Sequence, residues 1–111
     1  MDITTEEKNG VTIVRMSGKI NVPEAQELMT VIEKLIDDGK HKLVIDFCEI
    51  KYIGSLGVGV LATLLRKVIQ VGGSMKLVSL NLFVKKIFTV TKLDKIFEIY
   101  DSLDECLNSF S

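Results

Sequence analysis

The sequence has no tryptophan, one proline, one histidine and two cysteines among its 111 residues, and each scarcity removes a class of chemistry. His41 lies in Gly39-Lys40-His41-Lys42 and reads as an exposed turn residue before a strand, so Ser-His or Cys-His catalysis is not expected, and no catalytic residue is assigned. Cys48 and Cys106 lack metal-ligand spacing and partner cysteines; both read as buried thiols in a reducing compartment, with no metal and no cofactor. A formal net charge of −1 gives no electrostatic footprint for nucleic acid. The longest uncharged run, Tyr52 to Leu65, is shorter than the roughly 18 residues a membrane span needs, so membrane insertion is not expected. No phosphate-binding G-x-x-x-x-G-K-[ST] loop occurs, and Met1-Asp2-Ile3-Thr4 opens in strand-like sequence without a leader. A cytoplasmic protein is the expectation.

With 47% apolar and 26% charged residues the chain can build one core, and residues 1–111 read as one domain. Asp2 to Lys8 reads as charged on alternate positions with apolar residues or threonine between, like an exposed edge strand, and Asn9-Gly10 predicts a tight hairpin into a strand at Val11 to Ser17. Gly18 to Asn21 reads as a loop. Pro23 suits a first helical turn, and Ala25, Leu28, Ile32 and Leu35 repeat at helical spacing until Gly39. Leu43 to Phe47 is the apolar run of a strand covered on both faces. Asp46, the acid inside it, reads as a structural carboxylate accepting amides from the residues that follow. A helix from Ser55 stops at Gly72-Gly73, and a strand follows at Met75 to Ser79. A third helix over Leu82 to Val90 is expected to bury Phe83, Ile87 and Phe88 and to turn Lys85 and Lys86 outward. A short strand at Phe97 to Tyr100 and a last helix behind a Ser102/Glu105 capping box complete an α/β order with a mixed sheet.

The chemical centre is the stretch from Tyr52 to Leu61. Ser55 is expected to be the N-cap of its helix, with Gly57 and Gly59 admitting the close approach of another backbone. A phosphate on Ser55 meets free amides and the positive helix end while adding roughly −1.5 to −2 charges. A hydrolase elbow needs glycine two residues before its serine, where Ile53 stands. Gly57-Val58-Gly59-Val60-Leu61-Ala62 matches a dinucleotide fingerprint, but the strand before it is expected to end near Phe47, and no acid lies about 20 residues beyond to hold a ribose.

At these residues the chain resembles the STAS family, the domain of sulfate transporters and bacterial anti-sigma factor antagonists. The family's apolar strand ending in Asp, an aromatic, and Asp-Ser-Ser/Ala-Gly-Leu-Gly before a helix are matched by Leu43 to Phe47, Tyr52, Ser55, Gly57, Val58 and Gly59, and Val90 to Tyr100 is similar to its third-helix and last-strand signature. The resemblance implies a STAS-like domain with about five strands and about four helices, and a non-enzymatic switch. In such a switch the unmodified domain binds an anti-sigma factor that is also a serine kinase, phosphorylation at the Ser55 position releases it, and a phosphatase resets it. Asn21, Gly54, Ser55, Leu56, Gly57 and Val58 then form the partner-binding surface. The sequence departs from the family pattern where Gly54 replaces the acid before the serine, Leu56 replaces Ser or Ala, and Asn21 replaces the Asp of an early turn. These departures motivate the alternative of a non-phosphorylated STAS scaffold or accessory subunit in a signalling or lipid-transport complex.

Overall fold

The computed structural model describes residues 2–110. They form β1 (Thr4–Lys8), β2 (Val11–Ile20), α1 (Val22–Asp37), β3 (Lys42–Ile53), α2 (Ser55–Gln70), β4 (Ser74–Val78), α3 (Leu82–Val90), a 3-10 turn at Leu93–Lys95, β5 (Ile99–Tyr100) and α4 (Leu103–Asn108). The mixed sheet is ordered β1-β2-β3-β4-β5, with β1 antiparallel to β2 and every other pair parallel. Asn9 and Gly10 make the expected hairpin, both at positive φ (55° and 80°).

The strands explain the apolar runs. Val14, Ile45 and Leu77 face a large core shared with Leu28 and Ile32 of α1, Leu61 and Leu64 of α2 and Val84 and Phe88 of α3. Their sequence neighbours Ile13, Val44 and Val78 face the other way, onto Cys106 of α4. Both faces of the central strands are therefore covered, as the nearly continuous apolar run from Leu43 to Phe47 requires. Ser102 Oγ caps α4 by accepting the Glu105 N–H at 3.2 Å.

Two strands run further than the sequence indicates. β2 continues through the expected loop to Ile20, and β3 continues past Phe47 to Ile53. The pairing steps from Arg15 with Asp46 to Ser17 with Glu49, and from Gly18 with Ile50 to Lys19 with Tyr52, so β3 carries one extra residue at each of two bulges. Each extra residue breaks the period-two alternation that marks a strand, which is why this stretch reads as a loop. Side chains hold both bulges. Asp46 Oδ1 accepts the Cys48 N–H at 3.0 Å and Oδ2 accepts from Arg15 Nε at 3.3 Å, giving Asp46 the structural role expected of it. The first bulge turns Cys48 outward, so that thiol is exposed rather than buried. His41 is half-buried, its ring 3.2 Å from the Ile36 carbonyl, and not the solvated turn residue its neighbours suggest. Phe83 is also a correction: Val84 and Phe88 take the inward positions of α3 and leave Phe83 56% exposed.

Candidate functional site

The site lies where β3 hands over to α2 without a loop. The Gly54 N–H donates to the Ile20 carbonyl at 2.9 Å, tying the end of β3 to β2, and the chain turns there. Gly54, at φ −85° and ψ 173°, is the N-cap; Ser55 is the first helical residue and not the cap expected from its type. Since glycine has no side chain to offer, no side-chain bond caps this helix. The first intrahelical bond runs from the Val58 N–H to the Gly54 carbonyl at 3.1 Å, so the Ser55, Leu56 and Gly57 amides have no partner within the helix. Ser55 is exposed beside these three amides, at the positive end of the helix.

The remaining expected site residues divide between surface and support. Leu56 is exposed at 43% and presents an apolar side chain to solvent. Asn21 directly follows Ile20, the residue paired with Ile53, so α1 and α2 start side by side; the Asn21 N–H donates to Glu24 Oε1 at 3.1 Å. Gly57 and Val58 are buried. A Cβ on Gly57 would stand 2.8 Å from Ile53 Cγ1 and 2.9 Å from Ile20 Cγ2, so this glycine admits side chains rather than another backbone. Gly59 faces open space, and nothing steric requires it. Because β3 reaches Ile53, the dinucleotide reading loses its objection about an early strand end, but no acid occurs between Glu49 and Asp94 to hold a ribose.

Several residues at the site escape a reading of the sequence. Asn81 caps α3, its Oδ1 accepting the Val84 N–H at 2.8 Å, while its Nδ2 donates to the Ile50 carbonyl at 3.1 Å across the second bulge. An Asn ahead of a helical run is a recognisable cap; its bond to β3 has no sequence signal. Three helix N-termini, those of α1, α2 and α3, thus gather at the carboxyl end of the sheet. Tyr52 stacks against Phe83 with ring centroids 5.8 Å apart, bridging β3 and α3. Between α2 and α3 runs an open groove of about 480 Å³ that reaches from Ser55 along Gly59 and Ala62, with Ile87, Thr91 and Leu93 opposite.

The STAS domain profile matches residues 2–106. The chain belongs to the STAS domain family. Among its relatives, the TM1081 homolog of Thermotoga neapolitana is 31% identical over 98 residues, covering 87% of each chain. The anti-sigma-F factor antagonist RsfB of Mycobacterium tuberculosis is 28% identical over 107 residues, covering 95% of this chain and 85% of that one. The crystal structure of an anti-sigma factor antagonist from Mycobacterium paratuberculosis superposes with a TM-score of 0.89 at 29% identity, over 97% of this STAS chain and 92% of the other. No helix among the described residues is long and apolar enough to cross a membrane.

Proposed function

We propose that this STAS protein is a non-enzymatic anti-sigma factor antagonist that works by partner switching: unmodified, it binds an anti-sigma factor that is also a serine kinase, and phosphorylation of Ser55 releases it. The observation that carries the reading is an exposed hydroxyl on the first residue of α2, beside three amides that no side chain caps. In the unmodified state the surface is near-neutral and partly apolar, with Leu56 as the exposed anchor and Gly57 and Val58 holding the helix start against the sheet. Such a patch docks by excluding water. A phosphate on Ser55 changes the sign of the balance: it is stabilised in the free protein by the helix end, and in the complex it is a dianion that needs a partner. A phosphatase then restores the binding form. The named antagonists among the relatives support this role.

The test is intact-mass spectrometry after incubation with ATP and the serine-kinase anti-sigma factors of the same genome. One added phosphate is expected, absent in Ser55→Ala, and Ser55→Glu is expected to weaken the complex about tenfold or more. The departures at Gly54 and Leu56 favour one second reading, a constitutive STAS scaffold. A complex that forms without phosphate transfer and is indifferent to Ser55→Glu selects that reading instead.

A further inference from the structure

We propose that the groove between α2 and α3 receives an acidic, apolar-faced segment of the protein partner; this inference rests on the partner-switching reading and names the chemistry of the segment. The groove opens at Ser55 and is continuous with the proposed binding surface. Its α2 wall is a stripe of small residues: Ser55, Gly59 and Ala62 fall on one face at helical spacing, and Arg66, one turn further, is exposed at its end. The α3 wall is apolar and uncovered. Ile87 and Thr91 line both this groove and an adjoining hollow of about 250 Å³ bounded by Phe83, Lys86 and Val90. Phe83 and Val90 are 56% and 71% exposed, an unusual display for large apolar side chains on one short helix. The apolar floor calls for an apolar face on whatever lies there.

Charge decides what flanks that face. From Lys51 to Leu93 the sequence holds seven basic residues and no acidic one: Lys51, Arg66, Lys67, Lys76, Lys85, Lys86 and Lys92. Three of these are neutralised from elsewhere in the chain, Lys67 by Glu33, Lys76 by Glu98 and Lys85 by Asp101. Lys51 lines a separate hollow, beside Ser17 and Glu49, and not this groove. Lys86 borders the hollow, Lys92 stands between the groove residues Thr91 and Leu93, and Arg66 closes the α2 end; among the described residues none of the three has an ion-pair partner. An apolar channel with an unpaired basic rim complements a segment with apolar anchors and flanking carboxylates. A second copy of this chain fits poorly, because the same basic rim would meet itself.

The test uses the anti-sigma factor of the same genome that binds the unmodified full-length protein most tightly. Gly59→Leu fills the groove from a position with open space around its Cβ, its folding checked by a urea transition at or above that of the wild type, and Gly59→Ala is the smaller step at the same position. Gly59→Leu is expected to weaken binding about tenfold or more, and Gly59→Ala to weaken it less, in step with the volume each side chain takes from the groove. The charge reversal Lys86→Glu with Lys92→Glu is expected to weaken binding and flatten its salt dependence, while Lys34→Glu on α1 does neither. Binding that is abolished by Ser55→Glu yet indifferent to Gly59→Leu and to the rim reversal overturns the groove assignment and leaves the switch intact. A concentration-dependent dimer that Gly59→Leu dissociates gives the groove to a second copy and overturns it too. Failure of the wild-type protein to bind any anti-sigma factor of its genome removes both.

Discussion

At the scale of single residues, the two glycines that follow Ser55 separate by environment. Gly57 is buried where Ile53 and Ile20 leave no room for a Cβ, at 2.8 and 2.9 Å, whereas Gly59 points into open space. Both lie inside α2, so alanine at either position gains helix propensity of roughly 0.5–1 kcal/mol. Only at Gly57 does overpacking, typically about 1–3 kcal/mol, outweigh that gain. Gly59→Ala is therefore expected to raise the urea midpoint and Gly57→Ala to lower it; a rise at both would show that the helix start relaxes around the added methyl. The sequence alone marks both glycines as unusual in a first turn. What separates them is which side of the helix meets β2 and β3, and that depends on Ile20 and Ile53 being paired. The same limit applies to the cysteines: Cys106 is buried, with burial pushing its thiol up to about 11, while a bulge no periodicity reveals exposes Cys48.

At the scale of elements, the helices and the hairpin were legible because their signals are local. Asn9-Gly10, Pro23, the helical spacing from Ala25 to Leu35 and the bounds of α3 each depend on residues within a few positions. The bulged ends of β2 and β3 were not legible, because pairing across strands fixes them. Asn81 shows how such an end is held. Its side chain accepts the Val84 N–H at 2.8 Å and donates to the Ile50 carbonyl at 3.1 Å, coupling the start of α3 to the second bulge. Loss of a cap costs about 0.5–2 kcal/mol, and here the bulge carbonyl loses its donor as well. Asn81→Ala is expected to fall at or above the top of that range in chemical denaturation. Asn81→Asp keeps the acceptor for Val84 but not the donor for Ile50, so it is expected to recover only part of the loss. Full recovery by Asn81→Asp would mean that the cap alone matters.

At the scale of the molecule, the sheet divides the protein into a side that carries the proposed docking surface and a side that does not. α1, α2 and α3 cover one face, and Ser55 with its groove lies there. On the other face, α4 packs Cys106 against Ile13, Val44 and Val78, with Leu103, Leu107 and Phe110 partly buried around them. Lys76 is only 6% exposed on that face, and it anchors the end of the chain: its Nζ donates to Ser109 Oγ at 2.8 Å, pairs with Glu98 Oε1 at 3.5 Å and lies 4.2 Å from the centre of the Phe110 ring. Removing such a charge together with its solvation demand is often neutral, whereas leaving it buried without partners costs about 3–5 kcal/mol. Lys76→Met keeps the aliphatic packing beneath Phe110 and is expected to change stability by less than about 1.5 kcal/mol. Ending the chain at Asp101 keeps Lys76 but removes Ser109 and Phe110 and uncovers Ile13, Val44 and Val78, so it is expected to destabilise by several times more. A Lys76→Met loss as large as that of the truncation would show that the charge, and not the apolar cover, holds α4 in place. Because the two faces are separated by the sheet, Lys76→Met is also expected to leave partner affinity at the Ser55 face unchanged, which titration with the same anti-sigma factor would measure.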